Sequence, residues 1–457
     1  MKKKADTASQ DTGDERKSAR DGVREDGEHL VACFEDEYES LLKDKAEKFY
    51  ALMCEMTGFH KDKVEIFESP RKHFRMRANF SIWRDERYNN DPKGMYYAMF
   101  DMTTKDMETG RVLKRPCEIK HFPRGSLLIN VMMKKLMELW HDEEGEHSDM
   151  SKALRDDIFE VRFVTTQKGH VIIVLIYRKP LDDSWTRAAE AAVPLLLKAC
   201  DGAVSIKIVG RSKKMKKVAP TIAGAKDEEA ETIEEAYTVK GKSYVNYQTE
   251  GAFSQPNATV CEKMLTWSSD VTTGCQEKDL LELYCGGGTF TAALAGNFKR
   301  VIATEISKPS VRLASKCFAA NEIDNVKVAA LSSEDFSAAF LEKRNLRALA
   351  DCGIRITDYD VDTVLVDPPR AGLDGATCAL LCKFRAIVYI SCNPETLARD
   401  VKMMIATHEV KRMAAFDQFP YTHHLEGGVY LVRREGQATL AATEGEEGDR
   451  EAKKARV

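Results

Sequence analysis

Residues 280–433 carry the pattern that most narrows the folds open to this chain. Short apolar runs rich in β-branched residues occur at 280–283, 301–304, 326–331, 363–366 and 386–390, each separated from the next by a helix-length segment, and runs at 409–416 and 428–432 follow with no helix between them. Strand alternating with helix builds a mostly parallel, doubly wound α/β sheet, and the last two runs close it as an antiparallel hairpin. Sheets of this kind bind ligands beyond the carboxyl ends of their strands, so each residue that follows a strand becomes a candidate for chemistry.

Upstream the period changes. Leu41, Leu42, Phe49, Leu52 and Met53 recur near 3.6-residue spacing and predict an amphipathic helix. From about residue 74 the pattern alternates, with Phe74, Met76, Ala78, Phe80 and Ile82 on one face and Arg75, Arg77 and Asn79 on the other: a half-buried strand with a cationic outer face. Further strands are expected at 96–100, 160–165 and 170–177 and helices at 127–140 and 185–197, an α+β arrangement. A chain of 457 residues exceeds one ordinary core. The expected division is a disordered tail at 1–30, an α+β region at 31–235, a Rossmann-like domain at 236–434 and a second disordered tail at 435–457, with 219–235 as the exposed connection. Both tails are charged and nearly free of aliphatic residues.

The balance of 69 basic and 73 acidic residues gives a net charge of -4, which excludes a polycation that coats nucleic acid and leaves only local basic patches. No apolar run approaches bilayer length, so no membrane association is expected. The 12 cysteines form no C-x-x-C pair, the pattern of free thiols in a reducing compartment; neither structural metal nor iron–sulfur cluster is expected.

Three strand ends carry chemistry. Tyr284-Cys-Gly-Gly-Gly-Thr289 sets a glycine turn directly after the first strand, where backbone must approach a nucleotide-like ligand, and Glu305 ends the next strand, placed to accept hydrogen bonds from ribose hydroxyls. Val366-Asp-Pro-Pro-Arg370 makes a rigid extended ledge whose proline carbonyls are expected to lack local donors. Cys392 follows the fifth strand and precedes a helix, a position expected to lower a thiol pKa from about 8.5 toward neutrality. Glu426 is the one acid in residues 419–432, beside His423 and His424.

The runs Glu282-Leu-Tyr-Cys-Gly-Gly-Gly-Thr-Phe290, Ala303-Thr-Glu305, Val366-Asp-Pro-Pro-Arg-Ala-Gly-Leu373, Tyr389-Ile-Ser-Cys-Asn-Pro-Glu-Thr396 and Phe416-Asp-Gln-Phe-Pro-Tyr-Thr-His-His-Leu-Glu426, with Phe74–Trp83 and Phe253-Ser-Gln-Pro-Asn257 upstream, resemble the RNA 5-methyluridine methyltransferases, most closely the bacterial-type tRNA (uracil-5)-methyltransferases. The resemblance implies a class I Rossmann-like domain dependent on S-adenosyl-L-methionine, preceded by an α+β RNA-recognition region. It implies Cys392 as the nucleophile that adds to C6 of uracil and Glu426 as the base, with Gln255, Tyr284, Thr289, Glu305 and Asp367 around the cofactor. The product would be 5-methyluridine in the T-loop, and the partner the T-arm of tRNA; no obligate protein partner is evident. Bacterial relatives carry Asn where this chain has Gly287 and Thr289.

A flipped uridine needs phosphate contacts and aromatic stacking to offset its unstacking. Arg75, Arg77 and Phe74, and Lys213 and Lys214 within a run from Lys207 to Lys217 that contains no acid, are the expected RNA contacts. Competing readings are methylation of uridine in another structured RNA, a ribosomal RNA or a T-loop-like hairpin, and an RNA-binding folding factor with secondary catalysis. A cytoplasmic location is expected, with nuclear and organellar ones as alternatives.

Overall fold

The computed structural model of the protein describes residues 25–436 apart from 90, 104, 106–108, 214, 222–225, 343 and 345. The chain forms two compact units that interleave in sequence. One holds Met76–Thr165 and Gly169–Glu231 with the segment ending at Ala32; the other holds Cys33–Arg75, Thr166–Lys168 and the chain from Thr232 onward. The single cut expected near residue 235 is therefore replaced by an interleaved division, because the helix Tyr38–Thr57 buries its apolar face in the C-terminal core. Both expected tails lie largely outside the described residues.

The N-terminal unit is built on an eight-stranded sheet in the order Glu25–Asp26, Arg115–Glu118, Met95–Asp101, Arg77–Arg84, Ile158–Thr165, His170–Tyr177, Ser205–Ser212, Met215–Ala219. Its central pairs are antiparallel, while His170–Tyr177 and Ser205–Ser212 run parallel and are joined across the helix Asp183–Ala199. That helix starts where the Asp182 carboxylate accepts the Trp185 N–H, and Leu127–Trp140 where the Ser126 hydroxyl accepts Ile129 N–H, each satisfying a donor the helix itself leaves open. Phe80, Trp140, Phe163 and Trp185 fill the core with the inner faces of both helices. The strand expected from residue 74 begins at Arg77; Phe74 is packed in the C-terminal unit instead.

The C-terminal unit carries the sheet that the sequence pattern predicts, in the order Val326–Ala330, Arg300–Glu305, Asp279–Leu283, Val361–Val366, Ala386–Ser391, Glu426–Arg433, His408–Phe416, Glu65–Phe67. The first five strands are parallel, Glu426–Arg433 is antiparallel to both neighbours, and Glu65–Phe67 adds a parallel edge strand that the sequence does not advertise. Asp279–Leu283 and Ala386–Ser391 are buried at every position, as strands covered by helices on both faces must be. On the helix Tyr38–Thr57 the buried stripe is Tyr38, Leu42, Lys45, Ala46, Phe49 and Met53; Leu52, expected inside, is exposed. A lysine takes that interior place because its ammonium reaches Asp417 at 2.7 Å and the Phe419 carbonyl at 2.9 Å. The segment expected as an open connection contains the helix Asp227–Ala230 and the start of a hairpin, Ile233–Val239 with Lys242–Gln248.

Candidate active site

Register brings the strand ends together. Leu283 pairs with Thr304 on one side and Val366 on the other, and Val366 pairs with Tyr389, so Tyr284, Glu305, Asp367 and Cys392 all emerge at the carboxyl rim of the C-terminal sheet. Ser391 pairs antiparallel with Gly427. One step beyond that pair, Cys392 and Glu426 leave the sheet from adjacent strands.

The glycine turn adopts backbone that few side chains tolerate: φ is +63° at Tyr284, +54° at Gly286 and +78° at Gly288. A Cβ on Gly288 would lie 2.7 Å from the Phe318 ring, whereas one on Gly287 would meet nothing nearer than 3.9 Å, so the turn is tight on its inner side and open at Gly287. Glu305 holds the turn in place, its Oε2 accepting the Gly286 N–H at 3.1 Å and its Oε1 the Ser307 N–H at 2.7 Å. Each carboxylate oxygen keeps an acceptor site for a further hydroxyl. Thr289 opens the following helix, and its hydroxyl accepts from Asn246 Nδ2 at 3.1 Å, a contact that packs the turn against the hairpin.

At the ledge, Asp367 Oδ2 accepts from Gln255 Nε2 at 3.4 Å, and Gln255 Oε1 accepts in turn from Gln418 Nε2 at 2.8 Å. Burial pushes the Asp367 carboxyl up to about 7. The ledge is less bare than the prolines suggested, for the Pro369 carbonyl accepts the Gly372 N–H at 2.9 Å. Asn393 Nδ2 donates to the Arg370 carbonyl at 3.1 Å and Thr396 Oγ1 donates to it at 3.3 Å, tying the ledge to the start of the helix Pro394–Met404.

Glu426 is buried, and its Oε2 has no hydrogen-bond partner among the described residues. Burial pushes its pKa well above the ordinary carboxylate range, and the charge of Asp367 adds to the shift. Asp367, and not the adjacent histidines, is the charge that acts on it. The His424 ring instead lies 3.4 Å from an Arg370 guanidinium nitrogen and 4.0 Å, centroid to centroid, from His423. The Cys392 thiol is pushed up, first by burial and then by Glu426 and Asp367, with Arg370 working against them. The expected lowering is corrected: burial, with two carboxylates brought in by the tertiary fold, raises the thiol despite its place before a helix.

Sequence reasoning passed over two polar side chains here. Glu282 sits in the fully buried first strand, its pKa raised to about 8 by burial with a smaller push from Asp367, and its Oε2 has no partner among the described residues. The signal was an acid inside an otherwise aliphatic run. Gln418 is buried beside Gln255, and its place in the run from Phe416 to Glu426 gave no hint of that role.

The expected RNA contacts separate. Phe74 is 3% exposed and packs near Tyr421, so it presents no face to a base. Arg75 forms a backbone bridge with Asn257 in the C-terminal unit, while Arg77 begins a strand of the N-terminal unit opposite Val164. Lys213 is exposed in a tight turn, and Lys214 lies outside the described residues. Lys216 and Lys217 are paired with Glu231 at 2.9 Å and Asp183 at 3.1 Å, which shortens the acid-free run as a free cationic surface. All 12 cysteines are free thiols, and no helix among the described residues is long and apolar enough to cross a membrane.

A sheet of five parallel strands followed by one antiparallel strand, Glu426–Arg433, and its hairpin partner, His408–Phe416, with its polar groups gathered at the carboxyl rim, defines a Rossmann-like methyltransferase fold. The same fold is seen in the Pyrococcus abyssi tRNA (uracil-54, C5)-methyltransferase in complex with S-adenosyl-L-homocysteine, with a TM-score of 0.58, 20% identity, and 86% of this chain and 83% of that one covered. Residues 37–434 match the family model for tRNA (uracil-5-)-methyltransferase. The tRNA/tmRNA (uracil-C(5))-methyltransferase of Vibrio vulnificus is 40% identical over 389 residues, 85% of this chain and 96% of that protein, and the one of Ectopseudomonas mendocina is 41% identical over 397 residues, 87% and 97% respectively. The chain belongs to the tRNA (uracil-5)-methyltransferase family.

Proposed function

We propose that the protein methylates C5 of a uridine in the T-loop of tRNA, forming 5-methyluridine through a covalent adduct between Cys392 and C6 of the base. The observation that carries this reading is the antiparallel register that sets a half-buried thiol beside a dry carboxylate at the ligand rim of the sheet. The rim suits S-adenosyl-L-methionine: Glu305 keeps acceptor sites for ribose hydroxyls, the open side of the turn at Gly287 admits a ligand against the backbone, and Tyr284, Asp367 and Gln255 stand around it. Bound there, it would supply an electrophilic sulfonium methyl. Thr289, engaged with Asn246, supports the turn.

C5 of uracil is too weak a nucleophile to take that methyl group unaided. Addition of the Cys392 sulfur to C6 moves the C5–C6 electron pair into an enolate and makes C5 nucleophilic. After methyl transfer C5 carries an extra proton; Glu426 removes it, the C5–C6 double bond re-forms and the thiolate leaves. A carboxylate whose pKa is raised by burial is a stronger proton acceptor once ionised, which suits this step. Arg370 offsets part of the burden that burial and the two acids place on the thiol.

The test is trapping with tRNA containing 5-fluorouridine, whose C5 fluorine cannot leave as a proton. Wild-type protein should form a denaturation-stable protein–RNA adduct, and Cys392→Ala should form none while binding cofactor normally. On ordinary tRNA, Glu426→Gln should accumulate the methylated adduct. Turnover by Cys392→Ala would remove the mechanism, and methylation placed outside the T-loop would reassign the substrate.

A further inference from the structure

In the N-terminal unit, the file of side chains Ala78, Phe80 and Ile82 points into the core, and Arg84, two residues on, continues it. A guanidinium in such a place ordinarily meets a carboxylate. Among the described residues the Arg84 guanidinium makes neither a hydrogen bond nor an ion pair; burial lowers its pKa and Arg155 adds to that, against the opposing charges of Asp156 and Asp157. Its neighbour Asp85 is already committed, accepting from Arg87 Nε at 2.9 and 3.1 Å.

Arg84, at the end of its strand, lines a cleft of about 500 Å³ together with Trp83, Phe100, Ile158, Phe159 and Arg178. The volume falls within the roughly 300–1,000 Å³ of pockets that bury a small ligand. Trp83 and Phe100 meet edge to face with centroids 5.8 Å apart, and the Arg178 guanidinium lies 5.4 Å from the Phe159 centroid. Glu86 is the one carboxylate of the lining not held by an arginine in the same segment, and it is exposed, where water screens it. Two guanidiniums fit an anionic group with two or more oxygens, and flat rings fit a base plane. Together they describe a nucleotide.

We propose that this cleft seats one nucleotide of the RNA substrate other than the uridine that is methylated, its phosphate on Arg84 and Arg178 and its base against the aromatic rings. The proposal rests on the reading of tRNA as substrate. A free mononucleotide carries the same chemistry, and the experiment separates the two.

The measurement compares wild type, Arg84→Gln, Arg84→Lys and Arg178→Gln, with thermal unfolding as the check on folding. The Kd for unmodified tRNA is taken by fluorescence anisotropy across a salt series, AMP binding by calorimetry, and KM and kcat for tRNA methylation separately. The Arg178 side chain is exposed, so its variant tests the cleft without risk to the core. Each glutamine variant should weaken tRNA binding about tenfold and reduce the salt slope by about one, with the kinetic loss in KM rather than kcat. Arg84→Lys, which keeps the charge and loses the fork, should fall between. Unchanged tRNA affinity in both glutamine variants overturns the proposal. AMP binding that Arg84→Gln abolishes, with tRNA affinity unmoved, assigns the cleft to a free nucleotide and overturns it equally. Wild-type protein that binds tRNA without methylating it would count against the proposed reaction, while the Kd comparison still decides the cleft.

Discussion

Replacing Lys45 with Met isolates the interaction that anchors the segment leading into Glu426. Lys45 and Asp417 are 6% and 1% exposed with their charges 2.7 Å apart, and the ammonium also donates to the Phe419 carbonyl. At an effective dielectric of about 20, Coulomb attraction at that distance is worth ~6 kcal/mol. Desolvation opposes it with several kcal/mol per ion. Burial lowers the Lys45 pKa despite the adjacent carboxylate, so the desolvation cost is at least as large as the attraction. The intact pair therefore adds little, but removing one member leaves Asp417 charged, buried and without its cation, a loss of about 3–5 kcal/mol. Tyr38, which feels the Asp417 charge in the same pocket, supplies some compensation, so the lower end is expected. Urea denaturation should show Lys45→Met about 3 kcal/mol less stable, and Lys45→Met/Asp417→Asn should return to within about 1 kcal/mol of wild type, because no orphaned charge remains. Raising the salt from about 0.1 to about 1 M should not change the difference, since water does not reach the pair. A single variant within about 1 kcal/mol of wild type, or a double variant no better than the single, would refute the reasoning.

Because burial and two carboxylates raise the Cys392 thiol, it is protonated at neutral pH, and kcat/KM should climb with pH through the neutral range instead of levelling off below it. Arg370→Gln removes the cationic counterweight on that sulfur; the rising limb should move up by about one pH unit, a roughly tenfold loss at about pH 7.5 that recovers in alkali. For Glu282 the folded pKa of about 8 exceeds the unfolded value, so its contribution is fully present below about pH 4.5 and is lost as pH rises toward 8. Glu282→Gln should accordingly match wild type in denaturation at about pH 4.5 and exceed it by a few kcal/mol at about pH 8; equal stability at both would mean the carboxyl ionises freely.

What the sequence revealed and what it hid divide along physical lines. The parallel strands were legible because burial on both faces leaves continuous aliphatic runs, and the rim residues because each follows such a run. The helix Tyr38–Thr57 was legible as amphipathic, but periodicity names the buried face without naming what covers it, and the helix proved to belong to the C-terminal core. Lys45 broke the apolar stripe because its partner lies 372 residues away. The same limit misplaced Lys216 and Lys217, whose counter-ions are 15 and 34 residues distant, and Phe74, whose alternation with arginines looked like a strand face. The Cys392 thiol failed for a related reason: helix position is local and readable, whereas burial and the charges of Glu426 and Asp367 arrive through packing and strand register.

That register explains why the last strand matters more to the chemistry than its place after the parallel set suggests. A parallel strand in its position would deliver residue ends to the rim only through its carboxyl end, already the route used for Tyr284, Glu305, Asp367 and Cys392. An antiparallel strand enters at the rim, so its first residue, Glu426, stands beside the last residues of Ala386–Ser391 while the chain behind it descends into the core. Two glycines follow it, and both are pressed: a Cβ on Gly427 would lie 2.7 Å from Leu397 and from the Phe49 ring, and one on Gly428 2.9 Å from Phe416. Phe49 comes from the same helix as Lys45, and Leu397 from the helix that follows Cys392. The helix whose place in the fold the sequence concealed thus holds the start of this strand on both sides of Glu426, by the ion pair ahead of it and by ring packing against Gly427 behind it. Close packing leaves the carboxylate dry, and dryness is what raises its affinity for the proton it is proposed to remove.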